Sequence, residues 1–82
     1  MTRKEAQALA IEWADKQIEA RGAGAIFCCA PKPVKNVWTL REFREAAIND
    51  TSLAGGGTNP VDEILNLEKW CDEHGVQFRM DY

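Results

Sequence analysis

The sequence predicts an α+β domain in which three helices pack on a small two- or three-stranded sheet, in the order α-β-(β)-α-α-β. Three observations predict this fold: a short apolar run in the first half, three segments with helical periodicity, and an alternating segment at the end. Because 82 residues are enough for one small core, we expect a single domain over residues 1–82.

The central element is the run 25–30, Ala-Ile-Phe-Cys-Cys-Ala, which lies between a glycine and a proline. It is too short for a helix, so it predicts a strand buried on both faces. Residues 31–36 contain two prolines and predict a stiff turn. Val37 and Trp38 then predict a brief return strand, which would complete a hairpin.

Residues 3–20 have the pattern of an amphipathic helix. The middle of its apolar face holds Ala6, Ala10 and Ala14 at i, i+4 spacing, with larger side chains at both margins. We call these three residues the alanine ridge. A ridge of small residues lets another backbone approach closely. The alternative explanation is that alanine occurs here only because it is the best helix former.

The second helix has a clear start. Thr39 and Glu42 have the spacing of a capping box, so we expect a helix over residues 40–49. The loop that follows contains consecutive glycines at 55–57. No ordinary helix or strand crosses three glycines, and we expect this loop to be the most mobile segment.

The third helix is predicted over residues 60–74 by an asparagine and a proline at its start and a glycine after its end. Its apolar arc is about 220° wide at 100° per residue, wider than one face of a sheet usually buries. Either the helix is nearly surrounded, or Trp70 or Leu65 at the margins contacts another molecule. The arc consists of Val61, Ile64, Leu65, Leu67, Trp70 and Cys71.

The last segment, residues 76–82, alternates between apolar and polar side chains. Val76, Phe78, Met80 and Tyr82 would share one face of a strand. This pattern predicts a half-exposed strand beside the buried one.

Composition indicates a cytoplasmic protein. Three cysteines, two of them adjacent, make a poor disulfide framework and favour reduced thiols. The N-terminal residues show no apolar signal segment, and no run is long enough to cross a membrane. The net charge of −3 disfavours generic binding to nucleic acid or to anionic membranes.

Patterns for catalysis and metal binding are weak. Cys71 and His74 lie at i, i+3 on the third helix and are the centre of one alternative, a metal- or thiol-dependent protein. Structural zinc sites usually show paired ligand spacings, which the sequence lacks. The glycines before the third helix are not followed by the lysine of a phosphate-binding loop. We therefore expect neither enzymatic activity nor a cofactor.

Surface features favour binding to another protein. The chain has three tryptophans, more than so small a core obviously needs, and tryptophan is a favoured interface anchor. We predict a non-enzymatic regulator or inhibitor that covers a surface of its partner; small inhibitors encoded by phages or mobile elements have this general size and composition. The predicted contact residues are Trp70, Leu65, Glu63, Asp72 and Glu73 on the third helix, and Lys32, Lys35 and Trp38 on the turn.

The sequence also fits two other partners, a second copy of the chain and a nucleic acid. A homodimer would form through the alanine ridge or through an exposed strand edge. A nucleic-acid-binding regulator would use Lys32, Lys35 and Trp38, which place two cations and an aromatic ring on one turn. The opposing interpretation is a solvated turn that its tryptophan anchors to the core.

Overall fold

A computed structural model describes residues 1–27, 38–53 and 58–79. Three helices make up most of this part of the chain: α1 (Arg3–Arg21), α2 (Leu40–Asn49) and α3 (Pro60–His74). Two short strands, β1 (Ile26–Phe27) and β2 (Trp38–Thr39), pair antiparallel, with Phe27 opposite Trp38. None of the described helices is long and apolar enough to span a lipid bilayer.

The predicted α+β fold with a two- or three-stranded sheet is wrong. The described residues form a helical fold, and two strands of two residues each are too short for helices to pack on. Residues 76–79 form no strand despite their alternation, because Phe78 packs against the helical core while Val76 is exposed. The remaining parts of the two predicted strands, 28–30 and 80–82, lie outside the described residues, as do the glycines 55–57 of the loop predicted to be mobile.

The predicted helix ends are confirmed. They could be predicted because each depends on a few neighbouring residues. The Thr39 hydroxyl accepts the Glu42 N–H at 3.2 Å, and the Glu42 carboxylate accepts the Thr39 N–H at 3.0 Å. At the start of α3, Asn59 Oδ1 accepts the Val61 N–H at 2.9 Å. Gly75, at φ 65°, ends α3 in the left-handed conformation that glycine adopts without a steric penalty.

The alanine ridge lies at the centre of the molecule. Ala6, Ala10 and Ala14 are each 0% exposed, because α1 packs against both α2 and α3 along this face. Ala6 and Ala10 belong to one core cluster with Ala47 of α2 and with Val61 and Ile64 of α3. The ridge therefore serves contacts within the monomer, so the suggestion that it pairs with a second copy is wrong. A homodimer through an exposed strand edge stays a prediction.

Candidate functional site

Trp70 lies on the outer face of α3, with 50% of its surface exposed. His74, one turn later, stacks on the indole: the ring centroids are 4.3 Å apart and the planes are inclined by 19°. The His74 Nδ1 atom lies 2.9 Å from the Trp70 carbonyl oxygen, and since that oxygen only accepts, the imidazole donates through an Nδ1–H. The exposed indole is therefore braced on one face by a second ring.

Helical geometry places the predicted α3 residues on two opposite flanks. Glu63 and Glu73 lie about 20° and about 60° from Trp70 around the helix axis, on the same side as the indole. Leu65 and Asp72 lie about 140° and about 160° from Trp70, and Leu65 is half-buried against the core cluster. The structure thus brings together only part of the predicted set. We call the exposed side that carries Glu63, Trp70, Glu73 and His74 the Trp70 flank.

The acidic side chains of α3 differ in whether a cation neutralises them. Asp62 accepts from Arg3 Nη1 at 2.7 Å, and Glu68 Oε1 lies 3.0 Å from the amino group of Met1. The described ranges provide no ion-pair partner for the other acids of the helix, Glu63, Asp72 and Glu73. Two of these three unneutralised carboxylates lie on the Trp70 flank.

A polar network at the end of α2 was missed by sequence reasoning. Asp50 ends α2 in the left-handed conformation, at φ 51° and ψ 52°. Its two carboxylate oxygens accept from Arg3 Nε at 2.6 Å and from Arg3 Nη2 at 2.5 Å, and Asn59 Nδ2 donates to the same carboxylate at 3.0 Å. Since Arg3 also donates to Asp62, the network joins all three helices.

These contacts shift the pKa values of the groups involved. Arg3 first, and Asn59 second, hold the pKa of Asp50 below its ordinary value. Hydrogen bonds to Asp50 and Asp62 raise the pKa of Arg3 in turn. The one sequence signal for the network is that α2 ends at an aspartate where glycine is usual. Because each group is already engaged with another helix, the network stabilises the fold and offers no free group for a ligand.

Contrary to the prediction from sequence, Trp38 does not belong to an exposed contact surface on the turn. This side chain is 1% exposed and packs with Ala46 and Leu53, so the prediction that it contacts a partner is wrong. Lys32 and Lys35 lie outside the described residues. The nucleic-acid alternative therefore loses the aromatic ring on which a base would have stacked.

The metal or thiol alternative finds no support among the described residues. Cys71 is buried on the inner face of α3, whereas His74 lies outside, stacked on Trp70. In the described ranges, no three histidine, cysteine, aspartate or glutamate side chains come together as a ligand set. The two adjacent cysteines, Cys28 and Cys29, lie outside these ranges.

Comparison of the chain with protein-family models, with curated proteins and with solved structures found no match. Function is therefore inferred from the side chains themselves. Among the exposed surfaces that the structure describes, the Trp70 flank combines a large aromatic ring with carboxylates that have no ion-pair partner there.

Proposed function

We propose that this protein is a small non-enzymatic regulator or inhibitor that binds another protein through the Trp70 flank and covers part of that partner's surface. The observation that carries the proposal is the half-exposed indole of Trp70, stacked on His74. Tryptophan offers a large contact area with few rotatable bonds and is enriched at the energetic centres of protein interfaces.

Exposure alone does not distinguish an interface, because single exposed apolar side chains are common on protein surfaces. Trp70 differs because its ring stacks on the imidazole of His74. The imidazole is itself held by a hydrogen bond to the Trp70 carbonyl oxygen. A side chain that is already ordered loses less conformational entropy when a partner binds.

The surroundings of the indole also support an interface. Glu63 and Glu73 are exposed on the same flank, so an aromatic centre is bordered by polar groups. This is the usual arrangement of a protein interface, in which a desolvated core is surrounded by a hydrated rim.

Differential capture from a lysate of the source cells tests the proposal. The wild-type protein, Trp70→Ala and Ile48→Ala are immobilised side by side; Ile48 is a matched control because it is 44% exposed, on α2. We expect at least one protein to be retained by the wild type and by Ile48→Ala and to be lost with Trp70→Ala. Since the indole is half exposed, Trp70→Ala should still unfold cooperatively on heating.

Two outcomes would contradict the proposal. Equal retention of every captured protein by all three baits would show that Trp70 contacts no partner. Loss of cooperative unfolding in Trp70→Ala would show that the indole supports the fold and not an interface.

A further inference from the structure

We infer that the segment bound by the Trp70 flank is basic: an extended stretch of a partner protein with cationic side chains, arginine above all, at two positions four residues apart. This inference rests on the proposed function and specifies the partner's chemistry. It depends on three properties of the flank, namely its unneutralised charges, its exposed ring and the distances along the helix.

The first property is charge. Glu63 and Glu73 have no ion-pair partner in the described part of the chain, in contrast to Asp62 and Glu68 on the same helix. Lys69 lies one turn before Glu73 but makes no salt bridge to it. Apposed like charges oppose association and opposite charges favour it, so the flank selects a basic segment over an acidic one.

The second property is the indole. The face of a tryptophan ring attracts cations, and the planar guanidinium of arginine both stacks on such a ring and donates to a carboxylate. His74 lies over one face of Trp70, and half of the Trp70 surface remains exposed for contact with a cation. Glu73 is exposed one turn from Trp70 on the same flank, so a cation at the indole also lies near a carboxylate.

The third property is spacing. Glu63 and Glu73 are separated by about 15 Å along the helix axis, at about 1.5 Å per residue. In an extended chain, residues i and i+4 point to the same side about 13 Å apart. Flexible cationic side chains at these two positions therefore reach both carboxylates, the second of which is one turn from Trp70.

The test uses two synthetic peptides, acetyl-Arg-Ser-Ala-Ser-Arg-amide and its counterpart with glutamate in place of both arginines. Each is titrated into ¹⁵N-labelled protein while the indole N–H of Trp70 and the backbone amides of α3 are followed by NMR. We expect the arginine peptide to shift the Trp70 indole and the amides of Glu63 and Glu73, and the glutamate peptide to leave them unchanged. Equal shifts from both peptides, or shifts located elsewhere, would overturn the inference.

Matched variants separate this inference from the proposed function. The double variant Glu63→Gln, Glu73→Gln should bind the arginine peptide at least fivefold more weakly, whereas Asp72→Asn, an exposed acid on the opposite flank, should bind as the wild type does. If the double variant binds equally well, the basic-segment inference fails. If capture still depends on Trp70 when the inference fails, the proposed function stands with a partner of different chemistry. If capture does not depend on Trp70, the proposed function fails too.

Discussion

Ala10→Leu is the substitution that tests the helical packing most severely. Ala10 is the middle residue of the alanine ridge and is 0% exposed, in one cluster with Ala47 and Val61, which are also 0% exposed. Leucine would insert three more carbon atoms between α1 and its neighbours, inside a cluster of buried side chains.

The expected cost follows from that packing. Adding methylene groups to a well-packed core destabilises by about 1–3 kcal/mol, because side chains leave their preferred rotamers and helices shift apart. Since Ala10 lies where α1 meets both other helices, we expect the upper end, about 3 kcal/mol. In a domain of this size, that loss lowers the melting temperature by about 12–24 °C.

Urea unfolding followed by far-ultraviolet circular dichroism measures the free energy of unfolding. Ala8→Leu is the control, because Ala8 is exposed on the same helix and leucine is nearly as good a helix former as alanine. We expect the control to lie within about 0.5 kcal/mol of the wild type. Equal midpoints for Ala10→Leu and Ala8→Leu would refute the packing that we describe.

Two further predictions concern the polar contacts. The pKa of Asp50 is held below its ordinary value of 3.8 in the folded protein. The Asp50 carboxylate therefore adds to the free energy of unfolding above pH 3.8, and this contribution is lost as the pH falls through the lower pKa of the folded state. The difference in melting temperature between the wild type and Arg3→Gln should therefore be larger at about pH 7 than at about pH 2.5, and an equal difference would contradict the assigned pairing. Thr39→Ala should lower the free energy of unfolding by about 1 kcal/mol, because it removes the acceptor of the Glu42 N–H, while Thr51→Ala, exposed beyond the end of α2, should have little effect.

The helices could be predicted from sequence because their signals are local. A capping box needs only Thr39 and Glu42, and a left-handed stop needs only Gly75. A strand also needs a neighbouring strand to pair with, and an alternating sequence does not show whether that neighbour is available. Residues 76–79 alternate correctly, yet the pairing available to β1 in the described structure is with β2, and Phe78 finds its contacts among the helices.

The candidate site was predicted in part. The width of the apolar arc of α3 left two alternatives, a helix that is nearly surrounded or a marginal residue, Trp70 or Leu65, that contacts another molecule; in the structure Trp70 is half exposed. Burial of Trp38 agrees with the opposing interpretation, in which this residue anchors the turn to the core. Its contact with Leu53 could not be predicted, because Leu53 lies in the irregular segment after α2 and carries no periodic signal. The Arg3–Asp50 contact joins residues 47 positions apart, and no local pattern specifies such a pair.

Titration calorimetry with the partner identified by differential capture tests the central claim most directly. If Trp70 is the anchor of the interface, Trp70→Ala should weaken binding by about 30-fold or more, equivalent to about 2 kcal/mol, which is typical of an energetic centre. Ile48→Ala should bind within about twofold of the wild type, since substitutions outside an interface centre change the affinity little. Equal affinities for the wild type and Trp70→Ala would contradict the account.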